Sequence, residues 1–481
     1  MTDYASYDAT GLAAVVARGE ATPDELLDAA LEAAEAWQPH INALAFRDEG
    51  RAREMIDAGL PDGPLTGVPF LLKDSGCETP DFPISTGSRI APPVRYARHS
   101  SVYERLRAAG LVPFGRTTAP EGAVGPVTEA AAYGGPTRNP WDLSRTPGGS
   151  SGGSGAAVAA RVVPAAHASD GGGSIRMPAA CCGLVGMKAT RARIPDGPYA
   201  GEGWGGMAIE GVLTRSVRDT ALLLDIMSGP DAGAPYVAPP LRASFRAALD
   251  APDAPLRIGL CPTRFDGGPV DPVCAEAVTR TGRLLEEMGH HVEEIRPDLP
   301  MDAMMLAWTR IVACGTESWV RAVERKHGAG VRDKLETVAR GACALARSID
   351  GPMYLDAVNT VHDFGRKADA IFADGLDILV TPTMAEPPAK IGRFAHSRPE
   401  FGDFVHYRTG EGGVFDYSPF VVAFNASGQP ALSLPLHRME DGLPIGVHLA
   451  ARFGEDERLI TLAARLEEAA PWADHRPPVP A

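Results

Sequence analysis

PGGSSGGSGAAVAARVVPAAHASDGGGSIRMP, residues 147–178, sets two serines in glycine. Ser150, with Ser151 beside it, lies among Gly148, Gly149, Gly152, Gly153 and Gly155, while Gly171, Gly172 and Gly173 run straight into Ser174. Glycine opens backbone conformations closed to other residues, so such loops can turn their N–H groups inward. Between the loops, 156–166 carries no charge except Arg161. It reads as a short buried helix leading into a buried strand, which returns the second loop to the first.

Three other readings of this stretch compete. A flexible linker has a similar composition but does not flank an apolar helix and strand. A phosphate cradle needs GxxxxGK[ST] or GxGxxG; Lys188 follows Met187, and Arg176 stands where the third glycine belongs. Residues 148–152 formally match GxSxG, which would make Ser150 the attacking residue, but that motif needs a strand immediately before it. The preceding NPWDLSRTP, residues 139–147, is polar and bounded by proline, unlike a central strand.

Outward from this stretch, the 481 residues are 44% hydrophobic, ample for a large core in one big enzyme domain or in two or three smaller ones. A net charge of −15 with no basic cluster argues against nucleic acid, and against an anionic membrane surface, as partners. No apolar run reaches the ~18 residues of a membrane span, and MTDYASYDATGL lacks the charged and apolar regions of a signal peptide. A cytoplasmic protein is expected. The seven cysteines show no CxxC spacing and read as free buried thiols. The histidines form no HExxH or HxxxH pattern, so neither a metal nor another cofactor is expected.

Read from the N-terminus, Thr22-Pro23-Asp24-Glu25 opens a helix whose face continues through Leu26, Leu27, Ala30 and Leu31. A second helix is expected over 49–58, and PLTGVPFLLKD, 64–74, reads as a short buried strand ending in a charged pair. Lysine is scarce here, six against forty arginines, so Lys73 in an apolar setting stands out. One reading has it reach solvent and pair with Asp74. The other is a desolvated lysine whose pKa has fallen far enough for it to act as a base.

Beyond it, a helix from Ser100 leads to a strand over 111–115, 182–188 is a further apolar segment, and 214–227 reads as a capped helix. The proline- and glycine-rich 228–255 reads as a surface loop or linker. Then come a strand at 256–260, a helix at 272–288, a strand at 291–295 and a mainly helical 300–375. A strand at 377–381, a loop-rich segment to Ser418, strands at 430–435 and 444–449 and a helix at 457–469 close the chain. Strands alternating with helices in both halves argue for one layered α/β/α unit.

Several blocks together carry a resemblance. They are Gly67-Val68-Pro69 through Lys73-Asp74, Thr137-Arg138-Asn139-Pro140-Trp141, the 148–154 glycine–serine block, and Ser169-Asp170 with Gly172-Gly173-Ser174-Ile175-Arg176. TRSVRD at 214–219, Asn425 with Gly428-Gln429-Pro430-Ala431, and GLPIG at 442–446 complete the set. The chain resembles the amidase signature family of serine hydrolases over nearly its whole length, nearest to the 6-aminohexanoate-cyclic-dimer hydrolase and aryl acylamidase type. That resemblance implies a three-layer α/β/α fold on a large, mixed, twisted central sheet. It implies a single domain over 1–481, with 60–230 as the catalytic core and about 300–420 as a helical and loop region covering the substrate.

The resemblance also implies a Ser–cisSer–Lys triad: Ser174 as nucleophile, Ser150 after a cis peptide as the relay, and Lys73 as the base. The two serines are twenty-four residues apart, matching the family pattern. Gly171, Gly172 and Gly173 are the implied oxyanion hole, and Asp170 with Arg176 reads as scaffolding for that loop. Pocket walls are expected from 198–207 with Trp204, from the helical segment with Trp308, Cys314 and Trp319, and from 407–420.

Departures from the family pattern are Gly125, where the nearest branch places a polar, substrate-contacting residue, Gly171 in place of threonine, an insertion around 134–136, and His448 in place of glutamine. The implied activity is hydrolysis of neutral, linear or aryl, xenobiotic-type amides through an acyl-enzyme, with esters and carbamates entering the same mechanism. The implied partner is a small-molecule amide, ester or carbamate, with a homodimer as one possible assembly. Two other classes remain open: the A subunit of a tRNA-dependent amidotransferase, and a catalytically idle binding protein on the same fold.

Overall fold

Eleven strands form one sheet in this computed structural model, which describes residues 4–252 and 254–479. Of the N-terminal stretch read for a leader, Met1–Asp3 lie outside the described residues. In chain order the strands are β1 (Leu44–Arg47), β2 (Pro69–Lys73), β3 (Val112–Thr117), β4 (Ala165–Asp170), β5 (Val185–Lys188) and β6 (Ile209–Thr214). They continue with β7 (Arg257–Leu260), β8 (His291–Glu294), β9 (Ile378–Pro382), β10 (Ala431–Arg438) and β11 (Pro444–Ala451). Their spatial order is β1-β3-β2-β4-β6-β5-β10-β11-β9-β7-β8. Parallel pairs at β3-β2-β4 and β9-β7-β8 flank an antiparallel centre, so the sheet is mixed, and helices cover it in a three-layer α/β/α arrangement.

Local chemistry explains why the elements begin and end where they do. Helix Pro23–Ile41 starts on a reciprocal cap: Glu25 N–H donates to Thr22 Oγ1 at 3.2 Å, and Thr22 N–H donates to the Glu25 carboxylate at 2.8 Å. The strand expected over 64–74 begins only at Pro69, because 64–67 forms a turn. Phe70, Leu71 and Leu72 are then fully buried, each contributing about 1.5–3 kcal/mol of transfer free energy. Helix Gly152–Ala159 and β4 follow the first glycine loop, as the uncharged run predicts.

Two strands were not legible. Of β6 only Thr214 falls in an expected element, as the start of the 214–227 helix, yet its six residues pair with all six of β4, and its end pairs with β5. β1 is a four-residue edge strand on β3. The 300–375 segment folds as helices Met301–His327, Thr337–Ala346 and Gly351–Ala370. They share a second apolar cluster with Phe401, Phe404, Tyr407 and Phe415, which reaches Met177 beside the second glycine loop. No helix among the described residues is long and apolar enough to cross a membrane. All seven cysteines are free thiols, and only Cys314 is less than buried.

Candidate active site

β2 and β4 run parallel, with Leu71 opposite Ala166, so their carboxyl ends emerge together. Ligand sites in sheets of this kind form outside such ends. Lys73 closes β2 and has no solvent exposure. It does not pair with Asp74, whose carboxylate instead accepts from Ser85 N (2.8 Å), Ser85 Oγ (2.5 Å), Gly87 N (3.2 Å) and Tyr133 Oη (2.5 Å). The solvent-facing reading of Lys73 is therefore overturned. Its Nζ bonds to Ser150 Oγ at 2.7 Å and to Ser169 Oγ at 2.9 Å. Burial pulls the amine from 10.5 down to about 7, against the opposing charges of Asp170 and Glu210.

Ser169 was missed as a partner of Lys73. Its hydroxyl meets the lysine only because β2 and β4 are neighbours, a pairing that no local pattern announces. The peptide Gly149–Ser150 is cis, as the resemblance implies. Ser151 fastens this loop to β4, donating through Oγ to Ser169 O at 3.2 Å and accepting from Ser169 N at 3.3 Å. Gly148 meets the helix that follows the second glycine loop: it has φ +83°, and a Cβ there would lie 3.0 Å from Pro178 Cα. Glycine there permits both the backbone conformation and the close approach.

The second loop is organised around Asp170. Arg176 grips the carboxylate with Nε (3.0 Å) and Nη2 (2.9 Å), and both residues have no exposure. Arg176 also donates to Val421 O (2.8 Å) and Asn425 Oδ1 (2.6 Å) and contacts His448 Nε2 at 3.1 Å. Asn425 Nδ2 returns to Asp170 Oδ1 at 2.8 Å. Burial pushes the Asp170 carboxyl up, but Arg176 outweighs it and holds the group well below the usual carboxylate range. His448 thus belongs to this scaffold.

The three glycines expected as the oxyanion hole differ in what their N–H groups do. Gly173 N–H donates to Asp170 Oδ1 at 2.7 Å, so it is spent on holding the loop. Ile175 N–H does the same at 3.1 Å. The N–H groups of Gly171, Gly172 and Ser174 take no part in the bonds to Asp170. Among the described residues, the Ser174 hydroxyl makes no hydrogen bond. Lys73 to Ser150 is therefore a formed link, and Ser150 to Ser174 is an open one.

Ser174 lines a confined pocket with Gly125, Gly172, Met177, Trp204, Trp308, Arg408, Phe415 and others. Trp308 Nε1 donates to Gly171 O at 3.1 Å, fastening helix Met301–His327 over the loop. Trp204 lies edge-on to Trp308, ring centroids 6.2 Å apart, and a Cβ on Gly171 would meet Trp204 Cε3 at 2.6 Å. Glycine at Gly171, where threonine is usual, is what lets the indole rest on the backbone. Gly125 and Trp204 are thus placed beside Ser174. Cys314 is not among the pocket's lining, and Trp319 packs beside Gly122 in a separate apolar cluster. Gly135 and Pro136, at the insertion, line a different cleft with Glu336 and Arg340.

The lining also contains a cation that the sequence reading missed. Arg408, on helix Phe404–Thr409, lies within the segment expected as a wall, but nothing in its YRTGEGG context marks it as buried. It is 2% exposed. A buried cation thus joins the glycine and aromatic walls around Ser174.

Behind Lys73, Cys77, His167 and Glu210 bring a thiol, a ring nitrogen and a carboxylate oxygen within 4.8 Å of one another, a set able to hold a metal ion. No spacing in the sequence pointed to it. Glu210 accepts from Cys77 N at 2.7 Å, and its other oxygen lies 3.5 Å from His167 Nε2, both of these atoms being buried without a hydrogen-bond partner. His167 Nδ1 accepts from Lys73 N at 3.2 Å. These contacts hold the end of β2.

Comparison with known proteins gives a consistent outcome. The model of the Amidase family matches residues 25–460. The 6-aminohexanoate-cyclic-dimer hydrolase of Paenarthrobacter ureafaciens is 36% identical over 481 residues, covering 98% of this chain and 96% of the relative. A solved 6-aminohexanoate cyclic dimer hydrolase in complex with substrate superposes with a TM-score of 0.92 at 33% identity, covering 99% of both chains. A bacterial aryl acylamidase of the amidase signature family superposes with a TM-score of 0.87 at 26% identity, covering 98% of this chain and 97% of that one.

Proposed function

The chain belongs to the amidase signature family and is an amide hydrolase, and from that premise we propose that Ser174, Ser150 and Lys73 cleave the amide through an acyl-enzyme. The observation that carries this reading is the 2.7 Å contact between the buried Lys73 Nζ and Ser150 Oγ. A serine hydroxyl attacks a carbonyl only as a base removes its proton. An amine lowered to about 7 is substantially neutral at physiological pH and can accept one.

In the proposed sequence, Ser174 Oγ bonds to the carbonyl carbon while its proton passes through Ser150 to Lys73. The oxyanion takes hydrogen bonds from the N–H groups of Gly171 and Gly172, and losing one such donor typically costs about a hundredfold or more in rate. The carbon–nitrogen bond then breaks as Lys73 returns the proton, by the same relay, to the departing amine. Water repeats the cycle on the acyl-enzyme and releases the acid. Closing the open Ser150–Ser174 link is the task of bound substrate.

We place this machinery in a single domain, with 60–230 carrying the chemistry and about 300–420 covering it. The reading takes linear and aryl amides, nylon-oligomer-like ones included, as substrates, with esters and carbamates entering by the same attack. Its compartment is the cytoplasm, and it needs neither nucleic acid nor membrane.

Purified protein, alone, is expected to hydrolyse a member of a panel comprising an aryl anilide, a linear aminohexanoate oligomer, an aryl carbamate and a p-nitrophenyl ester. Ser174→Ala is expected to abolish that turnover. A folded wild type inert toward the whole panel overturns the reading and favours a subunit that works only within an amidotransferase complex.

A further inference from the structure

Arg408 is a buried charge that no carboxylate pairs with among the described residues. Its guanidinium carbon lies over Trp308, 3.8 Å from the ring centroid, with Phe415 at 5.2 Å and Phe404 at 5.8 Å. Stacking satisfies the face of the cation and leaves the N–H groups on its edge. Nε and Nη2 are buried without a hydrogen-bond partner, and among the described residues no carboxylate pairs with it. The contrast with Arg176 is direct, since that buried guanidinium meets a carboxylate, an amide oxygen and a carbonyl.

The surroundings are polar but uncharged. Tyr407 is pushed up by burial to a pKa beyond any working pH, and burial draws His396 from 6.5 to about 4, so both are neutral. Arg408 itself is drawn by burial to about 9 and stays cationic at neutral pH. Ser418, in the lining of the same pocket, also has a buried hydroxyl without a partner. An unpaired buried charge is costly, and in a pocket the ligand is the remaining source of a counter-charge.

The distance to the chemistry is short. Trp308 touches the Gly171 carbonyl with one edge and carries Arg408 on its face, so one indole ring separates the guanidinium from the loop of Ser174. A carboxylate held by Arg408 and a carbonyl at Ser174 fit within one small molecule. We propose that Arg408 recognises a carboxylate on the substrate, so that the enzyme prefers amides bearing a free carboxylate a few bonds from the scissile carbonyl over their neutral counterparts. This inference rests on the hydrolase reading for the placement of that carbonyl.

The test compares glutaranilic acid with its neutral primary amide, N-phenylglutaramide, by calorimetric titration into the full-length Ser174→Ala protein. The acid is expected to bind about tenfold or more tightly, the scale of charge-assisted hydrogen bonds in a buried site. Arg408→Gln is expected to bring the acid to the level of the amide, and Arg408→Lys to keep part of the preference, since a point charge replaces a planar fork. Equal affinities, no binding of either probe, or an acid preference that survives Arg408→Gln overturns the proposal. If Arg408→Gln lacks the cooperative melt of its parent, the acid-to-amide ratio in Ser174→Ala alone decides. Hydrolysis of the two anilides by wild type is a separate reading: no turnover with an acid preference intact removes the hydrolase assignment and keeps the anion site.

Discussion

Lys73 and Lys188 end two strands of the same sheet, both buried and both drawn by desolvation from 10.5 to about 7. Their surroundings differ. Lys73 meets two hydroxyls, one of them in the glycine–serine loop, whereas Lys188 Nζ donates to its neighbour's carbonyl, Ala189 O, at 2.9 Å. Lys188 also lies within the influence of Arg176, Asp170 and Asp456. Burial, the largest cause in both, therefore makes an amine able to lose its proton. Only a neighbour that can both give and take a proton makes that loss useful, and a carbonyl cannot do so.

The largest effect that sharpens this contrast is on rate. Lys73→Met is expected to lower kcat by about 10²–10⁴-fold, the usual worth of a positioned base, in a protein that still melts cooperatively. Lys188→Met is expected to stay within about threefold of wild type in the same anilide assay. A comparable loss from both substitutions would break the distinction.

Ser169→Ala comes next, with an expected loss of about tenfold in kcat, since it removes one of the two hydroxyls on Lys73 Nζ. Wild-type kcat/KM is expected to rise with pH through about 7 and level off above it, because the base works in its neutral form. Ser169→Ala withdraws a lone pair that stabilises the ammonium form, so its inflection is expected to move to lower pH. A merely structural role for Ser169 would leave the inflection in place.

The smallest effect on rate belongs to Lys188→Met, whose consequence falls on stability. The unfolded lysine stays protonated to about 10.5 and the folded one only to about 7, so below about 7 the fold bears the full penalty. Between these values the unfolded chain binds the extra proton, and stability rises with pH. Lys188→Met is expected to stabilise the protein by on the order of 3 kcal/mol at pH 6, with the gain shrinking toward pH 10. Denaturant unfolding at the two pH values measures it.

The sequence made the two serine loops, the buried helix and strand between them, and the apolar strand ending in Lys73 legible, because each is a local pattern of glycine, charge and hydrophobicity. β6 was not legible: IEGVLT is short and interrupted by Glu210 and Gly211, and its strand character comes from the β4 edge it pairs with. Of the three wall residues expected on one helix, Trp308 is the one that meets the glycine loop, a choice that depends on how that helix packs. The bond from Gly173 N–H to the carboxylate three residues earlier likewise follows from the loop's folded shape, which no residue pattern announces.

By itself, the sequence determined the family and the layered α/β class and singled out Lys73, Ser150 and Ser174, since these rest on residue type and on spacing along one chain. Tertiary structure alone decided that Lys73 faces Ser150 and Ser169 rather than Asp74, that Cys77, His167 and Glu210 meet behind it, and that Arg408 is sealed beside Ser174 without a counter-ion. The physical reason is common to all three. Desolvation and hydrogen-bond partnership depend on which groups long-range packing brings together, and residues far apart in sequence supply them.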